Sequence, residues 1–337
     1  MNKNELNIFL IIIVFFIFSK EANSQIYVST TGSDTNNGTI EMPYETIVKA
    51  ISSALPGDTI FVRSGLYNLS STITISSSKS GTEEKMYYLF GYQDERPLLD
   101  FSALAVGVKG IRLNANYWYI KGFDVTKAGH NGLGITGSYN IIEHCTFFEN
   151  RNTGLQLDNG ASYNKIINCD SYYNYDDHNE GADADGFAPK LTVGTGNYFY
   201  GCRAWVNSDD GWDGYLRGAN DVTTTLENCW TWGNGYAKDG YDPGSRANGN
   251  GFKMGGGDNS NSLQLMHHTI LINCLAFNNK SKGFDQNNNV GSMTIINGTG
   301  FGNKTANYRI TRQLNSGQTL VVKNSLSFNG KVELGSF

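Results

Sequence analysis

The sequence predicts an all-β fold, a right-handed parallel β-helix with a short capping helix at its N-terminal end. Three features predict it: a cysteine-to-asparagine phrase that returns about every 24 residues, a second column of glycines each followed by a large apolar residue, and an amphipathic segment ahead of the first repeat.

The phrase is the strongest of these. Cys145, Cys169, Cys202, Cys229 and Cys274 are each followed three residues later by an aromatic, namely Phe148, Tyr172, Trp205, Trp232 and Phe277. Five residues after each cysteine stands Asn150, Asn174, Asn207, Asn234 or Asn279. Gly298 continues the series with Phe301 and Asn303, and Ser325 with Phe328. Such a period, lengthened in places by polar insertions, is that of one coil of a parallel β-solenoid. Equivalent residues of successive coils then stack about 4.8 Å apart, so each column is a physical ladder. The aromatic column is expected to stack inside the coil, and the asparagines to satisfy backbone groups at a tight bend. Five cysteines in an exported chain would ordinarily suggest disulfides with one thiol left over. Their shared position in the repeat favours a column of small buried thiols instead.

The second column, Gly132-Leu133, Gly154-Leu155, Gly186-Phe187, Gly211-Trp212, Gly251-Phe252 and Gly283-Phe284, marks a strand opening in each coil. Ahead of the first coil, Thr46 to Ile51 reads as an amphipathic helix, ended by Pro56-Gly57-Asp58 and followed by a strand over Thr59 to Val62. A helix there would cover the open edge of the first rung, whose unpaired backbone otherwise invites aggregation.

Further upstream, Lys3, the apolar run Ile8 to Phe18 and the small residues before Gln25 have the layout of a cleavable signal peptide over residues 1–24. The run is shorter than the roughly 20 residues needed to span a bilayer, so the mature protein is expected to be secreted with no membrane span. Gly, Asn, Tyr and Phe recur to the end without a Pro-rich or charged linker, which predicts one elongated domain over 25–337, acting as a monomer. The chain stops at Phe337 just after a rung with no recognisable cap, as it would if a C-terminal portion were absent. A net charge of -5 excludes a nucleic-acid partner, which needs a basic surface. Any acidic ligand must therefore be met by a local cation or metal.

Chemistry is expected where columns break the pattern. Immediately before the strand-opening glycines stand Asn131, Thr153, Asp185, Asp210, Asn250 and Lys282, so two carboxylates fall on adjacent coils. Two residues after those glycines stand Gly134, Gln156, Ala188, Asp213, Lys253 and Asp285, a position that faces outward because the intervening Leu, Phe or Trp faces in. With Asp209, four carboxylates (Asp185, Asp209, Asp210 and Asp213) gather within two coils. Packed together they would raise one another's pKa, and a hard cation with loose oxygen coordination, Ca²⁺, fits such a cluster. A solvated acidic turn would explain Asn-Ser-Asp-Asp-Gly alone, but has no need of Asp185 one coil away. Lys253 would lie beside this cluster. A neighbouring Ca²⁺ disfavours the ammonium form, and a neutral amine can act as a general base. A base next to a metal that holds a uronate carboxylate describes β-elimination across a glycosidic bond.

Three segments carry a family resemblance: Glu180-Gly-Ala-Asp-Ala-Asp-Gly-Phe-Ala-Pro-Lys190, Gly201-Cys-Arg-Ala-Trp-Val-Asn-Ser-Asp-Asp-Gly-Trp-Asp213 and Asn248-Gly-Asn-Gly-Phe-Lys253. In this order they closely resemble polysaccharide lyase family 9, which includes pectate lyases and rhamnogalacturonan lyases, over roughly Gly132 to Asn303. The resemblance implies a right-handed parallel β-helix, calcium held by Asp185, Asp209, Asp210 and Asp213, and Lys253 as the base. The substrate it implies is an acidic plant polysaccharide, homogalacturonan or rhamnogalacturonan I. The insertion Gly235 to Ala247, with Tyr236, Tyr241 and Arg246, departs from the family and is expected to overhang the groove.

Lys190, Arg203, Arg217 and, on the insertion, Arg246 are candidates for binding substrate carboxylates. Asp176, Asp177, His178 and Glu180 are expected in a loop lining the groove. His267-His268 resembles a metal pair, but neighbours on a strand point to opposite faces, so both are expected to be structural. Two other functions suit the same fold. A glycoside hydrolase using Asp209 or Asp210 as acid would need neither calcium nor Lys253. A non-catalytic glycan-binding solenoid with structural calcium would be indifferent to Lys253→Ala.

Overall fold

The structure, a computed structural model, describes residues 24–258 and 260–336. The expected leader thus lies, except for Ser24, outside the described residues. The chain winds through three parallel sheets, each coil giving one short strand to each in turn. Sheet I has 11 strands, from Gln25–Val28 to Leu320–Lys323; sheet II has 10, from Gly65–Asn68 to Leu326–Phe328; sheet III has 10, from Ile73–Ile75 to Val332–Leu334. Register follows the repeat, with Tyr172, Trp205 and Trp232 side by side in sheet II and Phe187, Trp212, Phe252 and Phe284 side by side in sheet III.

Sequence sets the bends. Between sheets I and II one residue per coil has positive φ, as in Asn168 (50°), Gly201 (63°), Asn228 (55°) and Asn273 (54°). Asparagine and glycine tolerate that region best, which accounts for the Asn or Gly before four of the cysteines; before Cys145 the position is taken by His144 at 49°. The next residue turns inward, and all five cysteines are buried free thiols. After sheet II comes the asparagine column, a continuous buried amide ladder. Asn174 Nδ2 donates to Asn207 Oδ1 (2.8 Å), Asn207 Nδ2 to Asn234 Oδ1 (3.1 Å) and Asn234 Nδ2 to Asn279 Oδ1 (2.8 Å). Each of those oxygens also accepts the backbone N–H of the asparagine one coil earlier, for example Asn207 N to Asn234 Oδ1 at 3.1 Å.

The aromatic column does not lie inside the coil. The sheet II strands that follow the cysteines are three residues long, and the middle residue faces in: Phe147, Ser171, Ala204, Thr231 and Ala276 are buried. The aromatic that follows must point out, because side chains alternate along a strand. Phe148, Tyr172, Trp205, Trp232, Phe277 and Phe301 therefore form a half-buried external stack, with centroids 4.3 Å apart at Tyr172–Trp205 and 4.9 Å at Trp205–Trp232. The internal aromatic stack belongs instead to sheet III: Phe187–Trp212 at 4.8 Å, Trp212–Phe252 at 5.1 Å and Phe252–Phe284 at 5.3 Å.

The capping helix spans Ile47–Ser53. Thr46 is its N-cap, its hydroxyl accepting from Lys49 N at 3.1 Å, and Ile47, Ala50 and Ile51 are buried against the first strands of sheets I and III. At the far end Leu326, Phe328 and Val332 are exposed.

Candidate active site

The outer face of sheet III carries the site. Trp212 and Phe252 are drawn into the core, which obliges the next residue on each strand to face out. The strands pair in register, so Asp213 lies beside Lys253. Turns entering these strands supply the rest. Asp210 accepts from Asn250 N (2.7 Å) and Asn250 Nδ2 (2.8 Å) on Oδ1, and Asp209 from Asn248 N (2.7 Å) and Asp183 N (2.9 Å) on its two oxygens. Asp185, one coil earlier, accepts from Asp210 N at 3.2 Å and Thr153 Oγ1 at 3.1 Å. All four carboxylates predicted from the columns are thus brought together and buried.

Two ammonium groups hold them. Lys253 Nζ lies 3.1 Å from Asp210 Oδ2 and 3.3 Å from Asp213 Oδ1. Lys190 Nζ lies 2.7 Å from Asp185 Oδ2 and 3.3 Å from Asp213 Oδ2. Asp213, between both lysines, is held down at about 2 despite its burial. Burial, with repulsion from the neighbouring carboxylates, pushes Asp185 up to about 7 and Asp209 well above the ordinary range; Asp210 is raised as well. Burial alone would lower Lys253, but the carboxylates of Asp213, Asp210, Asp209 and Asp185 together raise it well above its usual value.

The donor set fits a divalent cation. Asp185, Asp209 and Asp210 can each offer one oxygen within 4.8 Å of the others, and Asp210 Oδ2, fully buried, has only the Lys253 ammonium beside it. With all four carboxylates ionised, the two ammoniums would leave two negative charges in excess, which one such ion would balance. All the candidate ligands are hard oxygens, the preference of Ca²⁺ or Mg²⁺.

Around the cluster runs a groove of about 610 Å³, lined by Lys109, His130, Gln156, Asp158, Asp183, Lys190, Asp209, Asp213, Tyr215, Arg217, Asn248, Lys253 and Asp258 among others. Of the basic residues expected to meet substrate, only Arg217 stands free on this wall, beside the Tyr215 ring. Lys190 is buried and committed to Asp185 and Asp213. Arg203 is on sheet II, paired bidentately with Asp170 at 2.7 Å, because the residue after the inward-facing cysteine projects from that sheet. Arg246 is exposed on the insertion and does not line the groove. The insertion itself leans the other way: Lys238 pairs with Glu149, and Ala237, Lys238, Asp239 and Tyr241 wall a separate cleft with Tyr173, Tyr175 and Asp177. Only Asn248, just after it, reaches the groove. From the loop with Asp176, Asp177 and His178, Asp183 and Ala182 line the groove, while Asp177 faces the second cleft. His267 is buried between Thr224 Oγ1 and Gly214 O, each at 2.8 Å, and His268 turns out to Asp221, so the two are structural. Gln156 shares the outward column of Asp213, Lys109 stands before Gly110-Ile111 at the phase of Asp185 and Asp210, and His130 stands at the phase of Asp209, so the repeat carried a signal for all three.

A right-handed β-helix with buried carboxylates and ammoniums along one outer sheet is the architecture of an enzyme that handles polysaccharide chains. Residues 26–325 match the family model described as Pel9A-like, right handed beta helix region, and the chain belongs to that family of polysaccharide lyases. Pectate lyase L of Dickeya chrysanthemi is 39% identical over 320 residues, 92% of this chain and 72% of that protein. The crystal structure of pectate lyase Pel9A superposes with a TM-score of 0.84 at 37% identity, covering 93% of this chain and 77% of that one. A rhamnogalacturonan lyase structure matches with a TM-score of 0.78 at 26% identity, over 93% and 84% of the two chains.

Proposed function

We propose that this protein is a secreted, calcium-dependent lyase of galacturonate-containing pectin that cleaves by β-elimination with Lys253 as the base. The observation that carries the reading is the contact of Lys253 Nζ with Asp210 and Asp213 at the wall of the groove. Higher identity to pectate lyases than to the rhamnogalacturonan lyase favours homogalacturonan as the backbone. The apolar run Ile8 to Phe18 supports export.

Asp185, Asp209, Asp210 and Asp213 would hold the ion. Calcium there would neutralise the carboxylates that keep Lys253 an ammonium, and would bind and polarise the uronate carboxylate. Lys253 accepts the C5 proton of the galacturonate. The C5–H electron pair becomes the C4–C5 double bond, the C4–O bond breaks, and the departing sugar oxygen takes up a proton. Lys190, through its ion pairs, holds Asp185 and Asp213 in place. A hydrolytic use of Asp209 or Asp210 suits the geometry poorly: Asp210 is fully buried, and Asp209, though it lines the groove, has both oxygens taken by the N–H groups of Asn248 and Asp183.

The test is to incubate the protein with polygalacturonate and follow the ultraviolet absorbance of the conjugated unsaturated uronate, with calcium and after chelation. Absorbance that rises with calcium and stops on chelation is expected. Saturated products, or a rate indifferent to chelation, would overturn the reading.

A further inference from the structure

Lys109 is the groove's unexplained cation. The other two lysines there are committed to aspartates, but Lys109 makes no ion pair and its amine donates no hydrogen bond among the described residues. Asp158, whose charge acts on Lys109, makes no ion pair with it and is turned to other donors: its Oδ1 accepts from Asn159 N (2.7 Å), Thr192 N (3.0 Å) and Thr192 Oγ1 (2.7 Å), and its Oδ2 from Gln156 Nε2 (3.4 Å). The amine is half-buried, a costly place for an unpaired charge.

Gly134 explains how it is held. This glycine occupies the outward column of sheet III, in line with Asp213 and Lys253, and its backbone is in an ordinary conformation that any residue can adopt. A Cβ there would meet Lys109 Cδ at 3.1 Å and Nζ at 3.2 Å. The missing side chain thus makes room for Lys109 to lie across the sheet. His130 lines the same stretch, with its Nδ1 buried and without a partner.

We infer that Lys109, seated over Gly134 and flanked by His130, forms a distal subsite that binds the carboxylate of a uronate residue in the bound polysaccharide. Gly134 is three strands from Asp213, about 14 Å along the groove at roughly 4.8 Å per strand, so this subsite takes a sugar several residues from the cut bond. The inference rests on the galacturonan reading above and extends it to recognition.

Two variants test it by different routes: Lys109→Gln removes the charge, and Gly134→Val displaces the amine while keeping it. Both are expected to raise KM for polygalacturonate, and the Kd for a long oligogalacturonate titrated calorimetrically, by about tenfold, the size of one charge-assisted hydrogen bond. Turnover at saturation and the kinetics on trigalacturonate, too short to reach the subsite from the cut, should be unchanged. Unaltered KM and Kd in both variants, or an equal loss on trimer and polymer, overturns the subsite. Long-oligomer binding that depends on Lys109 in a protein giving no unsaturated product would instead leave the subsite standing and sink the lyase reading.

Discussion

Replacing Lys253 separates its two duties. In the metal-free protein its ammonium is a counter-ion to Asp210 and Asp213, in a side chain only 12% exposed. Lys253→Ala removes it and leaves two buried carboxylates facing each other, a change that costs about 3–5 kcal/mol in comparable pairs. The melting temperature under chelation should fall accordingly. Calcium should restore it, and should bind more tightly than to the natural protein, because one competing positive charge is gone. Catalysis should fall by at least the ~10²–10⁴-fold that a positioned general base supplies. Lys253→Arg divides the roles: guanidinium keeps the charge but does not deprotonate, so metal-free stability should largely survive while turnover is lost. Initial rates on polygalacturonate, calcium titration by calorimetry and thermal unfolding with and without chelator read all three effects. If Lys253→Arg keeps turnover within tenfold of the natural protein, Lys253 is not the base.

Other consequences follow from the same structure. In the metal-free protein Asp185 titrates near 7 against an ordinary 3.8, so between those values the native state holds a proton that the unfolded chain has lost. The Asp185 contribution to stability under chelation should therefore fall as pH rises from about 4 to about 7, while the contribution of Asp213, lowered to about 2, is lost only under strong acid. Buried His267, lowered to about 4, acts in the opposite sense over the same range, so the check is the difference in thermal unfolding between the natural protein and Asp185→Asn, and a difference that does not change with pH contradicts it. Asn207→Ala should cost about 3–6 kcal/mol by denaturant unfolding, since Asn207 Nδ2 donates to Asn234 Oδ1 and Ser171 O, and its Oδ1 accepts twice from Asn174, all in a dry ladder where stranded partners are penalised. Trp205→Ala should cost less than Phe187→Ala: the first loses mainly two external stacking contacts, about 0.5–1.5 kcal/mol each, whereas the second empties the core at about 3–5 kcal/mol. Equal losses would mean that the external stack carries as much of the coil as its interior.

The coil, its register and the four aspartates were legible because a solenoid turns sequence period into spatial neighbourhood: two residues at the same phase of the repeat must touch. Asp213 and Lys253 are 40 residues apart yet directly paired, and phase alone places them together. Phase does not distinguish inside from outside once a bend intervenes. Counting from Cys145, which sits in the bend facing in, parity along the three-residue strand puts Phe147 inward and Phe148 outward, and the external position of the aromatics follows from that geometry. Side-chain commitments were also out of reach. Lys190 and Arg203 both read as cations near the motif, but one bends beneath the cluster and the other leaves from a different sheet. Lys109 stands immediately before Gly110-Ile111, at the phase of Asp185 and Asp210, so the repeat places it on the same wall, but that its amine lies over Gly134 needed coordinates.

The cluster needs this scaffold for a physical reason. Four carboxylates so close together repel one another, and in a flexible loop they would separate into water. Here three are tethered by groups belonging to a neighbouring coil, Asn250 gripping Asp210, Asn248 and Asp183 gripping Asp209, and Asp210 N gripping Asp185, while Asp213 accepts from Tyr215 N of its own coil. Those tethers are positioned in turn by Phe187, Trp212 and Phe252, stacked in the core directly behind them. The stability of the coil thus offsets the repulsion in advance of binding, so a cation entering the site meets ligands already assembled, and the free energy of its binding is not spent on gathering them.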